Sequence, residues 1–254
     1  MAYILVTNDD GVDAPGLLAL KTAMDKIGEV VVLAPDRNWS VAGHTRIMHK
    51  PLRVSHVELL DGTMVYTTTG TPSDCVALAV LGLLPRKPTL VVSGINRGAN
   101  VGQDLTYSGT VSAAMEGVIS GIPSMAVSLD IYQDGGDFNY AAQFASRLAL
   151  TVLERGLPPG ILLNVNVPNV SAAEICGAQI TRLGKRVYRQ ALIERQDPQG
   201  HNYYWIGSEP PTGVIEEGTD IWALAHNCVS VTPLHLDMTE YRLLEEMQGW
   251  EIGS

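Results

Sequence analysis

The chain lacks the features that would direct it to a membrane or to duplex nucleic acid. None of its 254 residues belongs to an apolar run near the ~20 residues that span a bilayer, and the N-terminus lacks the basic segment of a signal peptide. There is no run of Lys or Arg, and the net charge is 17 − 27 = −10, so binding to duplex nucleic acid is not expected. An anionic ligand would need a metal ion or oriented backbone amides to offset the protein's charge.

Cysteine is also scarce, and several well-known catalytic motifs are absent. Cys75, Cys176 and Cys228 are widely spaced and form no C-x-x-C pair. This pattern argues against a disulfide framework or a zinc site and predicts a reducing, cytoplasmic location. The sequence contains no G-x-S-x-G, Walker A or G-x-G-x-x-G motif and no H-E-x-x-H spacing. Serine hydrolase, P-loop and dinucleotide-binding functions therefore have no support.

Strand and helix patterns alternate through the first two thirds of the chain, which is 46% hydrophobic. Short apolar runs predict buried strands at Tyr3–Thr7, Val30–Leu33, Thr89–Ser93, Met125–Leu129 and Ile161–Val167. Helices are predicted from Thr71, over 109–121 and over Asn139–Arg155, and a hairpin around Asp61-Gly62. Such alternation predicts an α/β fold with a doubly wound, mostly parallel sheet covered on both faces.

The pattern changes after about residue 170. Arg186–Gly207 mixes charged and aromatic residues around Asp197–Gly200, which predicts a long hairpin or projecting arm. A two-stranded arm cannot bury both of its faces, so we expect it to pack on another subunit. We predict a catalytic core over 1–170 and, over 171–254, a β-rich C-terminal extension for oligomerisation and core completion.

Polar side chains follow three of the predicted parallel strands, where ligands bind in open α/β sheets. The first strand leads into Asn8-Asp9-Asp10, the second into Asp36, Asn38 and Ser40, and a later one into Asn96, Asn100 and Asp104. These are hard oxygen ligands, which suit Mg²⁺, Mn²⁺ or Ca²⁺ rather than Zn²⁺. Taken alone, Asp9-Asp10-Gly11 is more typical of a turn.

Ser108, Gly109 and Thr110 stand at the start of a predicted helix, where backbone N–H groups and two hydroxyls can hold a phosphate. In isolation, the same three residues are more typical of a simple helix cap. A hard-metal cluster beside an anion-binding helix end indicates metal-assisted phosphate chemistry. His44 and Glu116 are interpreted as structural residues.

Several long motifs resemble the SurE family of survival proteins, which are metal-dependent phosphatases of nucleoside monophosphates. They are ILVTNDDG (4–11), VVLAPDRNWS (31–40), GTPSDCVALA (70–79), SGINRGANVGQDLTYSGTVSAAMEG (93–117), NVNVP (164–168) and VSVTPLHLDMT (229–239). The resemblance covers essentially the whole chain.

The resemblance implies a role for each matching residue. It implies one divalent cation per subunit, Mg²⁺ or Mn²⁺, with Ca²⁺ as a crystal substitute. The implied metal ligands are Asp9, Asp10, Ser40 and Asn96; the implied catalytic residues are Asp9, Asp10 and Asn8; the implied phosphate contacts are Asn8, Asn96, Ser108, Gly109 and Thr110. It also implies a Rossmann-like fold and a homodimer or homotetramer built through the C-terminal extension.

The implied reaction is hydrolysis of nucleoside 5′- and 3′-monophosphates, with polyphosphate cleavage as a further activity of the family. Base preference, the choice between 5′- and 3′-phosphate, and the native metal stay open. One departure borders the metal loop: Val41 follows Ser40, where many relatives place a small residue, and Trp39 is bulky.

Two other functions are alternatives to the phosphatase. A phosphorylation-controlled receiver module also begins with a strand that ends in an acidic pair, but it needs a phosphoacceptor aspartate where this chain has Asn96. A non-catalytic nucleotide-binding protein would keep the phosphate cradle and need no metal.

Overall fold

The computed structural model describes residues 1–132, 135–187, 192–206 and 212–250. Most of its strands belong to one nine-stranded sheet, whose order is β3-β4-β2-β1-β5-β6-β7-β13-β8. In chain order its strands are β1 Tyr3–Thr7, β2 Glu29–Pro35, β3 Val54–Glu58, β4 Met64–Thr68, β5 Leu90–Arg97, β6 Ser124–Asp130, β7 Ile161–Pro168, β8 Ala178–Ile180 and β13 Val229–His235. The six strands from β4 to β7 in this order are parallel, and β3 and β13 run antiparallel to their neighbours β4 and β7.

Helices cover the sheet on both faces. The covering helices are α1 Pro15–Met24, α2 Pro72–Leu78, α3 Gly109–Ile119, α4 Asn139–Arg155 and α5 Asp220–Ala225, whereas α6, Tyr241–Met247, buries none of its residues. A short π-helical turn, Ala79–Leu83, continues α2, and a 3-10 helix, Gly102–Tyr107, leads into α3. The helix start predicted at Thr71 is a complete capping box with Asp74. The predicted α/β fold with a mostly parallel sheet is confirmed.

The core lies on either side of the parallel strands. Successive side chains of a strand point to opposite faces. One cluster accordingly contains Ile4 and Val6 with residues of α1 and α4, and another contains Tyr3 and Leu5 with residues of α2. Every residue of β1 is buried, which is why its sequence is a continuous apolar run. Among the described residues, none of the helices is both long and apolar enough to traverse a bilayer.

The chain after residue 170 both completes the main sheet and projects from it. β13 pairs with β7 over six residues, from Ser230 opposite Asn166 to His235 opposite Ile161. The predicted arm contains an antiparallel hairpin, β10 Leu192–Gln196 with β11 Asn202–Ile206, turning at Asp197–Gly200. Two further short strands, β9 Arg186–Val187 and β12 Thr212–Gly213, pair with each other. Residues 188–191 and 207 of the predicted arm lie outside the described residues.

The prediction that the cysteines form no disulfide framework did not anticipate the bridge found here. Cys176 and Cys228 form a disulfide with a Cα–Cα distance of 5.0 Å, and only Cys75 is free. Spacing along the chain could not reveal the pair, because 52 residues separate the two cysteines and the fold brings them together beside the start of β13. This disulfide removes the support that the cysteine pattern gave to a reducing compartment.

Replacing both Cys176 and Cys228 by serine is expected to lower the free energy of unfolding by about 4 kcal/mol, the chain-entropy value for a loop of this size. Urea unfolding of the double variant, beside wild type with and without dithiothreitol, measures the change. Reduced wild type should match the double variant. Equal midpoints for oxidised and reduced wild type would show that the bridge contributes no stability.

Candidate active site

The strand order of the sheet reverses at the carboxyl ends of β1 and β5. From β1 the chain continues through α1 to β2 on one side, and from β5 it continues through α3 to β6 on the other side. Open α/β sheets bind ligands at such a switch point. The predicted residues lie here: Asn8–Asp10 directly follow β1, Ser40 lies in the segment after β2, and Asn96 is the penultimate residue of β5.

Three hydrogen bonds tie these strand ends together. The backbone N–H of Trp39 donates to the Asp9 carbonyl at 2.7 Å, and the Asn38 side-chain amide donates to Asp10 Oδ1 at 3.5 Å. The backbone N–H of Arg97 donates to Asp10 Oδ2 at 3.2 Å. The acidic pair is therefore in contact with the segments that carry Ser40 and Asn96. We call the eight predicted residues the strand-end site: Asn8, Asp9, Asp10, Ser40, Asn96, Ser108, Gly109 and Thr110.

The start of α3 packs directly against Asp9. Ser108 caps the helix, with its Oγ accepting from the Val111 N–H at 3.1 Å, so the cap predicted as an alternative is present. The Thr110 hydroxyl donates to Asp9 Oδ1 at 2.5 Å. A Cβ at Gly109 would lie only 2.7 Å from Asp9 Cβ and 2.8 Å from Asp9 Oδ2. Glycine is therefore required where the helix meets the carboxylate.

Asp9 is a buried acid with little to offset its charge. Its exposed fraction is 3%, and none of the ion pairs found between described residues includes it. Burial raises the pKa of Asp9 to about 6, although the hydrogen bond from Thr110 opposes the rise, and the neighbouring Asp10 charge adds to it. Burial also raises the pKa of Asp10. Two carboxylates that resist ionisation side by side are typical of a site that receives a cation.

The other oxygens of the site suit the same cation. Asn8 is fully buried; its amide donates to the Gly11 carbonyl at 2.8 Å, while its Oδ1 has no partner among the described residues. Asn96 donates to the Gly98 carbonyl at 2.8 Å, which leaves its Oδ1 as the atom for a ligand. Within the described residues, no group of three or more His, Cys, Asp or Glu side chains could hold a metal. A cation here would therefore combine two carboxylates with neutral oxygens, a set that fits Mg²⁺, Mn²⁺ or Ca²⁺.

Ser40 is the least constrained member of the strand-end site. It is exposed, and its backbone N–H donates to Asn38 Oδ1 at 2.6 Å. The next residue, Val41, has a φ of +62° and is 76% exposed. That backbone conformation favours glycine, so Val41 holds a φ that its β-branched side chain disfavours.

The two asparagines of β7, Asn164 and Asn166, have a role that the sequence motifs did not predict. Asn166 Oδ1 accepts from the Asn100 N–H at 2.8 Å, and the side-chain amides of Asn164 and Asn166 both donate to the Asn100 carbonyl, at 2.8 and 3.0 Å. Asn100 in turn donates to Ser128 Oγ at 2.9 Å. These contacts hold the loop that follows Asn96. The signal was available: polar residues interrupt an otherwise apolar strand, ILLNVNV.

Replacing Asn166 by alanine is expected to lower the free energy of unfolding by about 2 kcal/mol, because it leaves the backbone N–H of Asn100 without its buried acceptor. Urea unfolding measures the loss. Asn169→Ala, at an exposed asparagine just after β7, is the control and should change stability by less than about 0.5 kcal/mol. Equal effects of the two substitutions would contradict the role given to the Asn100 network.

Comparison with known proteins gives a consistent result. The profile of a family described as "Survival protein SurE" matches residues 4–190. A curated relative from Chloroflexus aggregans, named 5′-nucleotidase SurE, is 54% identical over 98% of this chain and 99% of its own. A relative of the same name from Geobacter sulfurreducens is 50% identical over 99% of this chain and 94% of its own. The crystal structure of the SurE protein from Aquifex aeolicus superposes with a TM-score of 0.84, at 43% identity, over 97% of this chain and 98% of that chain.

Proposed function

This chain belongs to the SurE family of survival proteins, and we propose that it is a metal-dependent phosphatase of nucleoside monophosphates. The shared name of its relatives, 5′-nucleotidase, makes it a phosphoric monoester hydrolase. The products would be a nucleoside and inorganic phosphate. Four oxygen donors of the strand-end site would hold the divalent cation: Asp9, Asp10, Ser40 and Asn96.

The observation that carries this proposal is the contact between a buried carboxylate and a helix N-terminus. The amides at the start of α3 attract an anion, whereas Asp9, packed against Gly109, would repel a phosphate. A divalent cation held by Asp9 would offset the charge of this carboxylate and would supply Lewis acidity to a phosphate at the helix start. An acidic protein with a net charge of −10 would thereby gain a local positive field for an anionic substrate.

Each residue of the strand-end site would have one task in the hydrolysis. When bound, the cation supplies Lewis acidity towards a phosphoryl oxygen and a more acidic bound water. Asp9 and Asp10 would hold it, with Thr110 fixing the orientation of Asp9 through its hydroxyl. The backbone amides of Gly109 and Thr110 would donate to the phosphate oxygens, where charge develops. Asn8 and Asn96 would complete the contacts to the phosphate and to the cation.

A phosphate-release assay tests the proposal and separates it from its rivals. The purified chain is incubated with 5′- and 3′-nucleoside monophosphates and with polyphosphate, with Mn²⁺ or Mg²⁺ and then with EDTA. The proposal expects many turnovers with metal and none with EDTA. Phosphate bound covalently at one per chain would support a receiver-like module instead. Binding without turnover would support a non-catalytic nucleotide-binding protein.

We also propose that the chain forms a homodimer or homotetramer through its C-terminal extension. The β10–β11 hairpin is exposed along β11, where Tyr203, Tyr204 and Trp205 are 43%, 52% and 62% exposed. Aromatic residues are enriched in subunit interfaces. Light scattering should give two or four times the 27.3 kDa chain mass, whereas a monomeric mass would contradict the proposal. The cytoplasmic location predicted from the sequence loses the support of the cysteine pattern, because Cys176 and Cys228 are bonded to each other.

A further inference from the structure

Glu116 is a buried acid to which the proposed hydrolysis gives no task. It is 6% exposed and lies on α3, seven residues after Gly109. Seven residues are close to two helical turns, so the two positions lie on the same side of α3, about 10 Å apart along its axis. Glu116 thus belongs to the helix whose first turn forms part of the strand-end site.

The partners of Glu116 come from the loop that begins after Ser40. His44 Nε2 donates to Glu116 Oε2 at 3.1 Å, and Arg46 Nη1 lies 3.7 Å from Glu116 Oε1. A buried carboxylate is costly without such partners. We call residues 41–47 the strap loop. It has no helix or strand of its own, so its position depends on contacts of this kind.

The strap loop has further contacts with the starts of α2 and α3. The Ile47 N–H donates to the 2%-exposed carboxylate of Asp74, with distances of 3.3 and 3.2 Å to its two oxygens. The Thr71 hydroxyl donates to the Thr45 carbonyl at 2.7 Å. The Gly43 N–H donates to the Tyr107 carbonyl at 3.0 Å, immediately before the Ser108 cap. The loop is thereby held across both helices.

We propose that Glu116 and His44 are positioning residues of the active site. Their contact holds the strap loop on α3 and so fixes Ser40, at one end of the loop, relative to the helix start that receives phosphate. This inference rests on the proposed function, because Ser40 and α3 matter to catalysis only if they bind cation and phosphate. Loss of the contact weakens binding of the cation and the nucleotide more than it slows turnover, because neither residue touches the reacting atoms.

Two single variants and their combination test the proposal: His44→Asn, Glu116→Gln and the double variant. Hydrogen exchange of the strap loop reports whether it is still held. The concentration of free Mn²⁺, measured by electron paramagnetic resonance, gives the cation Kd, and phosphate release gives KM and kcat. Each single variant should exchange faster in residues 43–47 and raise both Kd and KM about tenfold, the size of one lost hydrogen bond to a charged group. The kcat should stay within about threefold, and the double variant should be no worse than either single one.

His201→Asn is the matched control. It removes another histidine–carboxylate contact, that with Asp197 at 3.3 Å on the hairpin, and should leave Kd, KM and strap exchange unchanged. Faster exchange with unchanged Kd and KM would overturn the proposal, as would additive effects in the double variant. Should Glu116→Gln fail to fold, His44→Asn, on the exposed loop, decides the matter alone. A wild type that neither binds Mn²⁺ nor releases phosphate would refute the proposed function; a normal wild type with unaltered variants would refute only the positioning role.

Discussion

Replacing Asp9 by asparagine is expected to lower phosphate release about a thousandfold and, in the absence of metal, to make the protein more stable. The loss of activity follows because the proposed cation loses a carboxylate, and Lewis acidity is worth several kcal/mol, with each 1.4 kcal/mol equal to a factor of ten. The gain in stability follows because asparagine carries no charge into the buried position, which is 3% exposed.

The pH dependence of stability shows why the Asp9→Asn variant is expected to be more stable and not less. In the folded metal-free protein the pKa of Asp9 is raised from 3.8 to about 6, so the folded state binds the proton more tightly than the unfolded state does. With respect to this group, the free energy of unfolding is therefore highest below about pH 4. It falls by about 3 kcal/mol as the pH rises through about 6. The asparagine variant should lack this loss, and added Mn²⁺ should reverse it in the wild type only.

Thermal unfolding between pH 4 and 8, with EDTA or Mn²⁺, measures the stability effect, and phosphate release measures the activity. Asp36→Asn is the control: this exposed acid at the end of β2 pairs with Arg37 at 3.0 Å and is not part of the strand-end site. It should leave activity and the pH profile unchanged. If Asp9→Asn kept near-normal turnover at low metal concentration, Asp9 would not be a metal ligand.

Replacing Gly109 by alanine is expected to cut kcat/KM at least a hundredfold. The added Cβ would lie 2.7 Å from Asp9 Cβ and 2.8 Å from Asp9 Oδ2, which is closer than real Cβ contacts. Either Asp9 or the first turn of α3 must move, and a displacement of about 1 Å in an active site costs on the order of a hundredfold in rate. The Kd for Mn²⁺ should rise in parallel, because the displaced carboxylate is a proposed ligand.

Gly117→Ala separates this local effect from a general loss of stability. Gly117 lies further along α3, and its added Cβ would clash with Ser124 Oγ and lie 3.0 Å from Val91 Cγ2, within the core and away from Asp9. Both variants should unfold at lower temperature than wild type. The activity of the folded fraction should fall only in Gly109→Ala. Equal specific activities for the two variants would contradict the placement of α3 against the catalytic carboxylate.

The elements with the strongest patterns were predicted correctly. β1 and α4 have the predicted bounds, because one is a continuous apolar run and the other a long amphipathic helix. The hairpin at Asp61-Gly62 and the cap at Thr71 were also found, since turn and cap chemistry is local. The end of β5 was not predicted correctly. The strand continues beyond its predicted end at Ser93 to Arg97, and its pairing with β6 shifts register between Ser93 and Asn96. Irregular pairing leaves no periodic signal.

The residues of the candidate site could be grouped from the sequence because strand ends in a parallel sheet converge on one edge. The contacts between distant segments were not predictable from local patterns. The bond from Thr110 to Asp9 joins residues 101 apart in sequence, and His44 meets Glu116 across 72. The disulfide between Cys176 and Cys228 was missed for the same reason. Each depends on how the folded chain places segments that no sequence period connects.

The most direct test of the proposed metal site is a crystal structure grown with Mn²⁺, with diffraction data collected at the manganese absorption edge. We predict one anomalous peak per chain, bound by oxygens of Asp9, Asp10, Ser40 and Asn96 and beside the first turn of α3. A crystal of active enzyme with no peak in the strand-end site, or with its manganese elsewhere, would contradict the proposal.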